Sequence, residues 1–293
     1  MDRLAPGSLT GRMTQHPILI TGGTGKSGAR VVSLLEKKGV PVRVGSRSSE
    51  PRFDWTDRDT WDVVFDGVKT VYIVPCDGEQ LTRPFIHRAE DLGVERIVLL
   101  SGRGVDTPGY AGENSIAGKT HIDGEDAVHN CRLEWTIIRP AWFAQNFSEG
   151  FFLEAVLGGE LRLPAGDGAA SFVDAEDIAA VAVAALTEDG HTGQTYELSG
   201  PTAVTIGEAV AEISEAIGRP VRYVSVPNDE FVAELVAQGW TAADAEDYAD
   251  AVGPIRRDMD SHLSDGVQRA LGRPARDFRE FVKTAAASGA WKA

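Results

Sequence analysis

The chain has 293 residues, 42% hydrophobic and 25% charged, a composition that folds around an apolar core rather than staying disordered. Its 44 acidic against 29 basic side chains give a formal net charge of −15, which repels phosphate backbones and anionic bilayers and argues against nucleic-acid or membrane partners. Cys76 and Cys131 are too few for a disulfide framework, and the longest apolar run, 178–186, is too short to span a bilayer, so a cytoplasmic protein is expected.

Residues 1–15, with Pro6, Gly7, Ser8 and Gly11 and no periodicity, read as a flexible N-terminal tail. From Pro17 onward, short apolar runs alternate with stretches of helical period, the pattern of βαβ units in a parallel sheet covered on both faces. Strands are predicted over 18–21, 42–45, 70–75, 96–101 and 135–139. Helices are predicted over 26–38, 58–65, 80–92 and 120–130, with Gly39 and Gly93 where helices stop. This is a Rossmann-type, doubly wound α/β core over residues 16–150.

After Pro140 the rhythm changes to glycine turns around 158–159 and 166–168, an Ala/Val helix after Asp177, a strand over 195–199 and further helices. The stretch 151–293 therefore reads as a smaller α/β substrate lobe interwoven with the core. Asp174 and Asp177, preceding an apolar helix, read as N-terminal caps rather than catalytic carboxylates. The acidic segment 228–250, containing Phe231, Leu235, Trp240 and Tyr248, has two readings: a lid helix pair, or a solvated face with ordinary core contacts.

The first strand runs straight into Gly22-Gly23-Thr24-Gly25-Lys26-Ser27-Gly28. Glycines at this spacing allow a tight turn, close approach of backbone N–H groups to a pyrophosphate, and packing of the helix on the strand, while the helix N-terminus favours negative charge. A nucleoside-triphosphate loop would need glycine five residues before Gly25, where Ile20 stands. At the end of the second strand, where a carboxylate would hold the ribose of NAD, the chain reads Gly45-Ser46-Arg47-Ser48. Arg47 can clamp a 2′-phosphate bidentately and Lys26 adds a second positive charge, so NADP(H) is expected in preference to NAD(H). No His, Cys and carboxylate spacing suits a metal ion.

The turn over 21–28, the Ser46-Arg47 pair, Phe53-Asp54-Trp55, His121-x-x-x-Glu125, the run 136–140 with Phe143 and Asn146, and Phe172-Val173-Asp174 before Asp177 share a pattern. On these residues the chain resembles the NmrA-like branch of the atypical short-chain dehydrogenase/reductases, in the group of festuclavine-dehydrogenase-like and quinone-reductase-like proteins. The resemblance implies that Asp54 and Trp55 lie beside the adenine, that Pro75 flanks the cofactor and that Ser101 faces the nicotinamide. Each has a plainer reading: Asp54 as a turn cap, Pro75 as a strand end, Ser101 as a partner for a backbone group.

Many members of the superfamily use a Tyr-x-x-x-Lys pair to protonate the substrate oxygen. Matching the lysine to Lys119 puts Ser115 at the tyrosine position; matching it to His121 puts Ala117 there. Tyr110 is off the spacing, in a Gly/Pro-containing stretch that offers nothing to fix it. Without a phenol acid, acceptors that are already electron-poor are the expected substrates: an imine or iminium, a quinone or an enone-like molecule. Lys119 would reach the ribose and His121 would shuttle a proton near neutral pH, the competing role for His121 being a surface i,i+4 pair with Glu125. Trp142, Phe143 and Phe147 would line the pocket mouth with Asn146 as polar anchor, suiting an apolar or polycyclic small molecule; their plainer role is core packing. An NADPH-dependent reductase, monomeric or homodimeric, is thus expected. The alternative is an NADP(H)-sensing regulatory protein without turnover, a behaviour that the resemblance also implies.

Overall fold

The computed structural model describes residues 16–110 and 115–292, without the side chains of Ile116 and Ala117; the tail read over 1–15 lies outside the described residues. The first half alternates strand and helix: β1 (Ile18–Thr21), α1 (Lys26–Lys37), β2 (Val42–Gly45), α2 (Trp61–Phe65), β3 (Thr70–Ile73), α3 (Thr82–Asp91), β4 (Arg96–Leu100), α4 (Ile116–His129) and β5 (Glu134–Pro140). It continues through α5 (Asn146–Glu149), α6 (Leu153–Gly158), β6 (Glu160–Leu163), β7 (Ala169–Ala170), α7 (Ala175–Thr187), β8 (Gln194–Leu198) and β9 (Val204–Thr205). The chain ends with α8 (Ile206–Ile217), β10 (Arg222–Ser225), α9 (Asn228–Ala237), α10 (Ala242–Arg256), α11 (Gly266–Leu271) and α12 (Phe278–Ser288).

Six strands pair in parallel in the order β2-β1-β3-β4-β5-β8. Side-chain alternation explains why both faces are covered. Ile18, Ile20, Tyr72, Val98, Leu100 and Ile138 point towards α1 and α7, whereas Leu19, Val71, Ile73, Ile97, Leu99 and Ile137 point towards α2, α3 and α4. The chain reverses across the sheet between β1 and β3, and in such sheets ligands bind beyond the strand ends at that switch point. The region after residue 150 is interwoven with this core, because α7 packs on α1 and β8 is the sixth strand. A separate apolar cluster, including Phe147, Phe152, Phe172, Phe278 and Phe281, holds the remaining helices together.

Several boundaries differ from the sequence reading for identifiable reasons. Strand β3 stops at Ile73 because the Val74 N–H is taken by Thr21 Oγ1 at 2.8 Å and Pro75 has no N–H to offer. Helix α4 starts four residues before the predicted 120, capped by Ser115, whose Oγ accepts the Gly118 N–H at 2.9 Å. Of the two aspartates read as caps, Asp174 is one, accepting the Glu176 N–H at 2.9 Å. Asp177 is not: it sits inside the first turn of α7, fully buried, and accepts the Arg276 N–H at 2.7 Å while pairing with Arg273 at 2.7 Å. The segment 228–250 forms a helix pair, α9 and α10; Phe231 and Leu235 are core residues, and Asp247, Ala251 and Pro254 face the cavity described below. No helix among the described residues is long and apolar enough to cross a membrane.

Candidate active site

The turn between β1 and α1 is built on close backbone approach. A methyl group at Gly28 would lie 2.2 Å from the Gly22 carbonyl oxygen, and one at Gly23 would lie 2.9 Å from Val44 Cγ1, so only glycine lets helix and strand meet here. Gly22 has φ +61°, and its carbonyl accepts the Gly25 N–H at 2.9 Å. No side chain caps the N-terminus of α1; Thr24 and Gly25 are exposed at the tip, whereas Ser27 and Gly28 are buried beneath it. This is a cradle with open N–H groups, and it fits a pyrophosphate.

At the end of β2, Ser46 is half-buried and Arg47 exposed, with no ion pair to Arg47 among the described residues. Asp54 accepts from the Thr56 N–H at 3.1 Å and the Thr56 hydroxyl at 2.9 Å, which hold its carboxyl below the ordinary range, helped by the charges of Arg52 and then Arg47. Asp54 thus has its plainer role as a turn residue, within electrostatic reach of Arg47. Trp55 packs edge-on against Phe53 at 5.2 Å and tilted against Phe85 at 4.8 Å. Lys26 takes a different place from the one read for it beside Arg47. Its Nζ donates to Asn146 Oδ1 at 3.1 Å and lies 5.2 Å above the Phe151 ring, and burial pushes its pKa down.

A cavity of about 590 Å³ opens beyond the strand ends. Lys26, Pro75 and Ser101 stand on its wall at the sheet, with His121 from α4; Trp142, Phe143 and Asn146, which follow β5, line it together with the 64% exposed Phe151. Phe147 does not line it. That ring is completely buried, packed against Phe152, Phe172 and Phe278 at 5.0, 5.3 and 5.6 Å, because the four-residue α5 turns position 147 inward while Asn146 faces the cavity. Lys119 is exposed and likewise outside the cavity wall, one helical turn from Ser115.

Two polar networks hold the cavity wall. Ser101 Oγ donates to Glu125 Oε1 at 2.5 Å, and Glu125 is gripped by Arg139 through Nε at 2.8 Å and Nη2 at 2.5 Å; Arg139 also reaches Asp106 at 2.6 Å. His121 therefore makes no hydrogen bond to Glu125, against the surface-pair reading. Its Nδ1 is buried without a partner, its ring rests on Gly102, and burial pulls its pKa down against the opposing charges of Asp77 and Glu125.

The second network fixes Tyr110, which sequence reasoning left unsupported. The Tyr110 hydroxyl donates to the fully buried Asp260, and Arg257 Nη2 donates to the carbonyls of Gly109 and Tyr110 at 2.8 and 2.6 Å. Burial raises the pKa of both partners, and the Asp260 charge raises that of Tyr110 further. Gly104, at φ +78°, lies flat against the Tyr110 ring, where a methyl would sit 2.1 Å from Cδ1. That glycine was the one local hint of a packed ring; Asp260 lies 150 residues away.

A family model described as NAD(P)H-binding matches residues 22–189. Over 291 aligned residues the chain is 34% identical to an NAD(P)H azoreductase of Xenophilus azovorans, covering 92% of this chain and 98% of the relative. The chain belongs to this NAD(P)H-binding family. An agroclavine dehydrogenase of Claviceps fusiformis is 31% identical, with 90% of this chain and 96% of the relative covered. Among solved structures, the NADPH complex of an Escherichia coli quinone oxidoreductase superposes with a TM-score of 0.78 at 24% identity, covering 91% of this chain and 99% of that one. These relationships fit the NmrA-like, atypical short-chain dehydrogenase/reductase resemblance and make the chain an NAD(P)H-dependent oxidoreductase.

Proposed function

We propose that this oxidoreductase is an NADPH-dependent reductase that hands hydride to an electron-poor small molecule of the imine or iminium, quinone or enone type. The observation that carries the reading is the commitment of the deep hydroxyls on the cavity wall: Ser101 donates to Glu125 and Tyr110 to Asp260. Neither is free to protonate an alkoxide as hydride arrives, so an acceptor that spreads its own charge is favoured over a plain ketone. The apolar, aromatic walls at Trp142, Phe143 and Phe151 suit a planar ligand, with Asn146 as its polar anchor.

When bound, the nicotinamide supplies the hydride. The backbone over 22–28 and the open end of α1 hold the phosphates, with Thr24 and Gly25 at the tip and Lys26, Ser27 and Gly28 in the first turn. Ser46 and Arg47 take the 2′-phosphate, Asp54 and Trp55 border the adenine side, and Pro75 and Ser101 flank the nicotinamide. His121 is the proton carrier at the cavity; Lys119, exposed outside it, is assigned no step. The test is to saturate the protein with NADPH, follow nicotinamide fluorescence, and add cyclic iminium salts, quinones and enones singly, with NADH in parallel. Acceptor-dependent loss of signal, with tighter binding of NADPH than NADH, is expected. Binding without loss for every acceptor class overturns the proposal.

A further inference from the structure

Glu125 and Arg139 are both part of sequence motifs, and the scheme above uses Glu125 only as the group that occupies the Ser101 proton. Glu125 is 4% exposed and Ser101 3%, and they lie 24 residues apart, on α4 and just beyond β4. A carboxylate accepts hydrogen bonds and cannot return one. Here Glu125 accepts from Arg139 at both oxygens and from Ser101 at Oε1, so the pair dictates the direction of the Ser101 bond. The one proton of the Ser101 hydroxyl is thereby spent away from the cavity. What Ser101 offers the cavity is oxygen lone pairs.

We infer that Glu125 is a positioning residue which, braced by Arg139, locks Ser101 as a hydrogen-bond acceptor, so that this wall of the site recognises an N–H donor on its ligand. This rests on the reductase reading above. The N–H has two sources there: the carboxamide of the nicotinamide, or a protonated iminium nitrogen on the substrate. A ligand presenting only a lone pair at this spot faces an acceptor against an acceptor. The arrangement also explains the length of the relay, because Arg139 continues to Asp106 on the cavity loop, tying the loop to the same polarity.

The experiment compares wild type, Ser101→Ala, Ser101→Thr and Glu125→Gln in two measurements. The first is NADPH affinity by fluorescence titration without substrate. The second is the ratio of kcat/KM for a protonated cyclic iminium to that for its N-methylated counterpart, which has the same charge and ring but no N–H. Ser101→Ala leaves the Glu125–Arg139 pair intact and removes only the acceptor. Glu125→Gln removes the negative charge that holds the serine proton, leaving that proton free to turn round. Both are expected to lose about tenfold in the same quantity, while Ser101→Thr retains it. A shared drop in NADPH affinity assigns the acceptor to the carboxamide; a shared collapse of the iminium ratio assigns it to the substrate. The inference is overturned if neither quantity moves in Ser101→Ala, or if only Glu125→Gln is affected, which would mark a packing defect. Failure of the reductase reading is separate: wild type itself would then bind no NADPH or oxidise none.

Discussion

Replacing Gly28 with alanine tests the phosphate cradle where the geometry is tightest. The new methyl would stand 2.2 Å from the Gly22 carbonyl oxygen and 2.9 Å from Gly23 Cα, both backbone atoms that no rotamer change can move away. Restoring even the shortest contact real Cβ atoms make requires the turn to shift by about 0.8 Å relative to α1. Overpacking of this kind costs about 1–3 kcal/mol, which lowers the melting temperature by about 2–4 °C for each kcal/mol. The larger effect falls on the ligand. Charge-assisted hydrogen bonds contribute about 1.5–3 kcal/mol each, so misplacing one N–H donor weakens NADPH by about 10- to 100-fold. Gly158→Ala, on α6 and away from the cradle, is the internal control, since its methyl would meet nothing within 4 Å. Fluorescence titration with NADPH and thermal melts on both variants decide the matter. Wild-type affinity in Gly28→Ala, or an equal loss in Gly158→Ala, would refute the steric reasoning.

Three further outcomes follow from the same geometry. Arg47→Ala should weaken NADPH by about 10- to 100-fold and leave NADH within a factor of two, as measured by paired titrations, because the lost bonds belong to the 2′-phosphate alone. Phe147→Ala should cost about 3–5 kcal/mol in denaturant unfolding while leaving the KM for the acceptor unchanged, since the ring is core and not cavity wall. His121 has its pKa lowered from 6.5 by burial, so the unfolded chain binds the proton more readily than the folded one. Its contribution to stability is therefore full above pH 6.5 and lost as pH falls through the lower folded value; His121→Gln should flatten that part of the stability profile.

The sheet was legible because its strands obey a period of two with apolar residues on both faces, and because glycine turns punctuate them. Strands β1 and β2 have the predicted limits, and every other predicted core strand is shifted by no more than two residues. Errors arose where a side chain outside the element decided its end. Thr21 captures the Val74 N–H and so ends β3; Ser115 caps α4 earlier than the apolar period suggested. Asp177 resembled a cap in sequence, but its partners, Arg273 and Arg276, come from the last segment of the chain. Propensity describes the first turn of a helix and carries no information about a loop almost a hundred residues away.

The same limit separates the two halves of the site. The phosphate cradle is a local object, made by glycines within seven residues, and the sequence pattern announces it. Proton chemistry in the cavity depends on partners far along the chain: Tyr110 on Asp260 and Arg257, Ser101 on Glu125 and Arg139. The missing Tyr-x-x-x-Lys spacing pointed to a site with no phenol on its wall. The structure contains a buried, well-held phenol that lines the cavity but has its proton tied to a carboxylate. Both explanations favour electron-poor acceptors, the class proposed above, but for different reasons. If the acid were absent, one tyrosine at the right spacing could restore ketone reduction. If the hydroxyl protons already on the wall are held by buried carboxylates, neutralising a carboxylate would free a donor. Asp260→Asn should therefore raise turnover of a plain ketone relative to an iminium salt, measured as a ratio of kcat/KM, and an unchanged ratio would return the explanation to the missing spacing.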